Sequence, residues 1–269
     1  MLNLILPLAL ALSGGVGGFL LRRWELTAAF DENGLAIGGA APTLLLIALS
    51  AVLAGAFFLL CRKPRYVPSD YSQAFGAQNN WPYLIAMTLS AAMLLVAGLL
   101  GLKNAMVSFN CGLLCKLTCA MCILSFFCVL TAAWTNFRGK PLTYSLPLLV
   151  PGYTLCLWLV NAYQQRAAEP VVLIYVYEVL AIICALLGLY FSAGYSFGRP
   201  KFCRCAVFSL LGIYFILVTL ADPHTTADRL MLLFALLYLL ADLFVFLYHA
   251  FLSPVPTQIN HTQEVTPDE

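Results

Sequence analysis

Hydrophobic positions in this chain fall in long, nearly unbroken runs, not at the alternating spacing of a half-buried strand. The runs cover 3–21, 43–61, 82–102, 110–133, 143–163, 171–195, 205–221 and 230–252. Each is close to the ~20 residues a helix needs to cross a hydrocarbon layer of about 30 Å. Inside lipid the backbone must satisfy its own hydrogen bonds, so such runs become helices. The pattern predicts an all-α polytopic integral membrane protein, a bundle of about eight transmembrane helices. Loop lengths suggest one membrane domain over 1–252, made of a two-helix hairpin (1–62) and a six-helix body (82–252). The polar, acidic segment 253–269 is expected to be a disordered tail. The first run lacks a basic start and a small-residue cleavage pattern, so it is read as an uncleaved span.

Composition agrees: 62% of the 269 residues are hydrophobic, 10% are charged, and mean hydropathy is +0.90. A soluble domain carries about 25% charged residues. The net charge of +2 gives no reason to expect a nucleic-acid partner. The expected partners are the lipid bilayer and a second membrane protein or copy of this chain. Lys and Arg in short loops set orientation. Arg62, Lys63, Arg65, Arg138, Lys140, Arg199, Lys201 and Arg204 lie in the even-numbered loops. Arg22, Arg23, Lys103, Arg166 and Arg229 lie on the other side, diluted by acidic residues. The even loops and both termini are therefore expected in the cytoplasm. The first loop holds the turn sequence Asp31-Glu32-Asn33-Gly34, suited to a small hairpin, and the second has room for a short interfacial helix after Ser69.

Three ionisable residues lie well inside the runs: Lys116, Glu178 and Asp242. A charge there costs about 2.5–3.5 kcal/mol on insertion scales and persists only with a partner, a cavity or a task. Lys116 and Glu178 have opposite sign and similar depth, about 9–11 Å below one boundary at 1.5 Å per residue. They are expected to pair, either as a register-fixing salt bridge or as a substrate- or proton-linked site; Lys116 also has the alternative of reaching out to the interface. Ala181, Ala185, Gly188 and Ser192 follow Glu178 as a stripe of small side chains and imply close helix packing. Asp242 shares a helical face with Tyr238 and His249, the chemistry of a proton relay or, more plainly, of interhelical hydrogen bonds with His249 at the interface. Lys116, Glu178, Asp242, Tyr238 and His249 form the candidate intramembrane polar site.

Cys111, Cys115, Cys119 and Cys122 share one face, which suits packing better than a soft-metal path, since no Met or His pattern accompanies them. The ten cysteines are read as reduced, and no metal or cofactor site is expected. Pro147, Pro151 and Gly152 predict a kinked or broken fifth span, with Thr154 and Asn161 as polar groups for any cavity there. Gly14, Gly15, Gly17 and Gly18 permit close packing in the first span. Arg22, Arg23, Glu25, Asp31 and Glu32 are read as a solvated loop cluster. There is no HExxH, GxSxG, P-loop or paired acidic motif, so catalysis is not expected.

Arg22-Arg23-Trp24-Glu25-Leu26, Phe30-Asp31-Glu32-Asn33-Gly34-Leu35 and Phe197-Gly198-Arg199-Pro200 are similar to stretches of uncharacterised multi-span membrane proteins of gut anaerobic bacteria. The resemblance implies a bacterial inner-membrane protein and transfers no residue roles. The leading functional expectation is a small-solute or ion transporter; the alternative is a structural or accessory membrane protein.

Overall fold

A computed structural model describes residues 2–31, 35–62, 68, 70–107, 112–139, 145–166 and 171–251. The expected tail from 253 and the tip of the first loop, 32–34, lie outside the described residues. Helices α1 (Leu2–Ala28), α2 (Ala41–Cys61), α3 (Tyr71–Phe75), α4 (Trp81–Val107), α5 (Leu113–Arg138), α6 (Leu146–Arg166), α7 (Val176–Gly194), α8 (Phe202–Thr219) and α9 (Thr226–Phe251) follow in order. All but α3 are long and apolar enough to span a membrane, giving eight candidate spans among the described residues. Among the described residues there is no strand. The sole extended pairing is an antiparallel bridge between Phe30 and Ala36, where the first loop doubles back. This is an all-α integral membrane protein whose apolar helices sit in a lipid bilayer.

Helices α4 to α9 pack in sequence and α9 returns to α4, closing a six-helix ring; α1 and α2 pack on each other and on α8. Buried residues make up 56, 67 and 61% of the spanning stretches of α7, α8 and α9, against 22% in α2. The outer helices instead offer Leu, Ile and Phe side chains to lipid, such as Ile47, Phe58 and Leu59 of α2.

Small residues set the closest approaches. A Cβ added at Gly212 of α8 would lie 3.2 Å from the Ala185 nitrogen of α7, and one at Gly188 3.0 Å from Ser209 Oγ. The small-residue stripe after Glu178 is therefore the α7–α8 contact. In α1, a Cβ on Gly18 would lie 2.6 Å from Val218 Cγ2 of α8, and Gly15 faces Leu217, whereas Gly17 faces open space. Of the kink or break expected in the fifth span, the break does not occur: α6 runs on through Pro151. Pro147 sits in its first turn, where no backbone donor is needed.

The odd-loop end holds the C-termini of α1, α4, α6 and α8; the even-loop end holds those of α2, α5, α7 and α9.

Candidate functional site

The odd-loop end carries a buried ion network. Helix α1 extends past position 21 to Ala28, which carries Arg22 and Glu25 inward. Neither is a solvated loop residue: both are 0% exposed. The longer helix explains the difference, because Arg22 and Glu25 at i, i+3 lie on the face that packs on α8. Arg22 Nε donates to Asp222 Oδ1 at 2.7 Å, one terminal nitrogen to Glu25 Oε2 at 2.6 Å, and the other to the Ile174 carbonyl at 2.8 Å. Its guanidinium lies 4.9 Å from the centre of the Tyr177 ring. Every nitrogen of the fork thus has an acceptor, the condition under which a buried cation is tolerated.

Asp222 also accepts from Thr219 Oγ1 at 2.9 Å. His224 Nε2 lies 2.7 Å from the Thr219 carbonyl, so that nitrogen carries the proton. Its Nδ1 is left 3.8 Å from Glu178 Oε1 with no hydrogen-bond partner.

Glu178 does not meet Lys116. Its Oε2 pairs with Arg166 at 2.9 Å. Residues 172–174 form a 3-10 turn, so α7 starts at Val176 and Glu178 falls in its first turn, near the boundary and at the favourable end of the helix dipole. Arg166 closes α6 just before it, and Lys116 is exposed on the outside of α5.

Beside this network a cavity of about 170 Å³ opens between α4, α5, α6 and α9. Its wall includes Asn104, Asn161, Gln165, Thr118 and Asp228 and no Lys or Arg. Asp228 is held by a capping box: it accepts from Thr225 Oγ1 at 2.6 Å while its own N–H donates back at 3.2 Å, and Trp158 Nε1 donates to its other oxygen at 3.3 Å. Cys115, Cys119 and Cys122 also line the cavity. Cys119 and Cys122 occupy the space left by Gly101 and Gly98 of α4, and the Cys122 thiol points to Met231 Sδ at 3.5 Å. None of the nine described cysteines is in a disulfide, and among the described residues no three His, Cys, Asp or Glu groups gather as a metal site. Below the cavity, Thr154 and Ser125 close the α5–α6 seam with a hydroxyl pair at 2.6 Å.

Inside the even-loop end lies a second polar centre. Asp242 is 5% exposed, and its Oδ1 has no hydrogen-bond partner. The Ser192 hydroxyl is within hydrogen-bond reach of both the Asp242 carboxylate and the Leu189 carbonyl, the latter at 2.9 Å. Tyr71, Tyr83 and Tyr238 stand within electrostatic range of Asp242. Asn136 spends its two amide protons on the Tyr71 and Tyr83 oxygens, at 3.1 and 3.0 Å. Both phenols therefore keep their own protons to donate. Burial pushes the Tyr71 phenol well above its usual range, so it stays protonated through neutral pH. His249 is set apart: its Nε2 lies 2.8 Å from the Gly76 carbonyl, fastening the segment after α3 to α9, and it borders an even-loop pocket of about 480 Å³.

The structure thus gathers Asp242 and Tyr238, places His249 about 10 Å further along α9 at 1.5 Å per residue, and leaves Glu178 and Lys116 apart. Sequence reasoning missed Arg22, Asp222, His224, Tyr71, Tyr83 and Asn136 as participants. One signal was legible: Arg22 and Glu25 at helical spacing directly after an apolar run.

No family model matches the chain, and no curated protein or solved structure matches it.

Proposed function

We propose that this protein is a membrane carrier for a small polar or cationic solute, with Asp242 as its intramembrane binding or proton-exchange group. The observation that carries the reading is the unpartnered Oδ1 of a fully enclosed carboxylate inside a ring of six helices. Lipid-embedded acids are costly, and one without a cation or a full set of donors is poorly suited to holding helices together.

A second observation supports a path. Asp228, Met231, Ala235, Tyr238, Asp242 and His249 fall within about 100° of arc on α9 at 3.6 residues per turn. That face begins at the odd-loop cavity and ends at the even-loop pocket bordered by His249. Ala235, Tyr238 and Asp242, between them, are buried. The arrangement fits a carrier with a vestibule at each end and a sealed middle. About 170 Å³ accommodates a handful of waters or a small solute. The carboxylate and amide wall favours cations or hydrogen-bonding neutral molecules. In this reading the odd-loop end faces outward from a bacterial inner membrane, and both termini are cytoplasmic.

The accessory-protein reading draws on the Arg22 network, which ties α1 to α8 and α7 as a fixed brace. The two separate on one experiment. Ala235→Cys, in a background with all ten native cysteines changed to Ser or Ala, is probed in oriented vesicles with a membrane-impermeant thiol reagent. A carrier exposes position 235 from one face and then the other as solute gradients are reversed. A thiol that never reacts from either face identifies a sealed structural bundle.

A further inference from the structure

Away from the α9 path, α6 and α7 leave a groove of about 450 Å³ at the even-loop end. Leu149 and Tyr153 of α6 and Tyr190 and Phe191 of α7 form its walls, and Arg199 and Lys201 stand at its mouth. The chain reversal after α7 builds that mouth. A 3-10 turn over Tyr195–Phe197 leads to Gly198, whose φ of 66° is left-handed, and the Arg199 N–H donates to the Gly194 carbonyl at 3.0 Å. No ion pair among the described residues uses either cation. Tyr153 lies seven residues into α6, and Tyr190 seven residues before the end of the 3-10 turn. Both rings are therefore about 10 Å below the boundary at 1.5 Å per residue. Both are open to the surroundings, at 57 and 58% exposure.

We propose that this groove binds the headgroup region of an anionic phospholipid, with its phosphate on Arg199 and Lys201 and its glycerol and upper acyl carbons on Tyr153, Tyr190 and Phe191. The cations stand where lipid phosphates lie, just beyond the end of a span. Arginine matches a phosphate with two parallel donors, and basic pockets between helices are suited to acidic headgroups. The aromatic walls continue toward the hydrocarbon, which an acyl chain covers and a free phosphate does not. The inference is independent of any transport role.

Native mass spectrometry of the full chain, offered phosphatidylglycerol and phosphatidylcholine of equal chain length, tests it. Wild type should retain phosphatidylglycerol preferentially. Each of Arg199→Gln and Lys201→Gln should cut that preference about fivefold, the effect of roughly 1 kcal/mol per basic residue, and Arg199→Lys should restore part of it. Arg138→Gln, which removes a charge from the same end outside the groove, should leave the preference intact. Both groove cations are exposed, so the variants should fold with unchanged thermal midpoints. Equal retention of the two lipids by wild type overturns the proposal. So does an equal loss in Arg138→Gln, which marks diffuse attraction, or displacement of lipid by millimolar inorganic phosphate, which marks a free-anion site.

Discussion

Arg22 and Asp242 are both ionisable, both enclosed and both set in apolar helices, yet their surroundings treat them oppositely. Arg22 gives each nitrogen of its fork to an acceptor, two of them carboxylates, within a network that joins α1, α7 and the end of α8. Asp242 meets no cation among the described residues and keeps one oxygen without a partner, although three phenols stand nearby. Desolvation opposes both charges. In the first case geometry offsets that cost, and the result is a brace. In the second the cost is left standing, as the exchange role proposed for Asp242 requires. Burial alone therefore says little about the role of a membrane charge; whether it meets an opposite charge says more, since Glu25 also keeps one oxygen without a hydrogen-bond partner yet is held by Arg22 at 2.6 Å.

The contrast breaks most visibly at Arg22. Arg22→Met strands Glu25 and Asp222 without their cation and should cost about 3–5 kcal/mol, the range for breaking a buried pair from one side. A steep fall in the unfolding midpoint of detergent-purified protein would register it. Arg22→Lys should recover only part, because an ammonium cannot serve the three acceptors of the planar fork. A midpoint unmoved by Arg22→Met would mean the network braces nothing.

Asp242→Asn should do the reverse, leaving the midpoint unchanged or raised while abolishing solute-dependent currents in proteoliposomes. Loss of folded protein in this variant would instead place Asp242 with Arg22 as a structural charge. An intermediate result is expected for Glu178→Gln. Its partner Arg166 keeps 26% side-chain exposure, so water can take over part of the interaction. A loss of about 1 kcal/mol, readable by chemical denaturation, fits a partly screened pair. Lys116→Gln should be silent in both stability and current recordings, since its side chain is on the outer surface of α5. A measurable effect would show that Lys116 has a partner outside this chain.

How much of this was legible in the sequence varies by element. The spans were, because hydrocarbon thickness sets helix length and 20-residue apolar runs have no other stable form in lipid. The tight-packing face of α7 was too, though not its partner α8: Ala181, Ala185, Gly188 and Ser192 recur at helical spacing, and small residues let backbones approach. The proximity of Tyr238 and Asp242 followed from one turn of one helix. Pairing across helices did not follow. Lys116 and Glu178 matched in sign and apparent depth, but depth counted from hydropathy assumed that 171–175 was already helix, and a 3-10 turn there moves Glu178 to the boundary. Arg22 was assigned to water because a hydropathy run stops at the first charge, whereas the helix does not stop there.

What the sequence determined by itself is the solvent: a chain this apolar is a set of membrane helices, with their number, approximate limits and small-residue faces written locally. What only the tertiary structure decided is the partner of each charge. A side chain at a given height on one helix can face lipid, a neighbour or the interior of the ring, and helix rotation and ring closure select among them. That selection turned Arg22 into the centre of a brace, turned Lys116 outward, and gathered Tyr71, Tyr83 and Asn136 from three separate helices near an Asp242 that their hydrogen bonds do not satisfy.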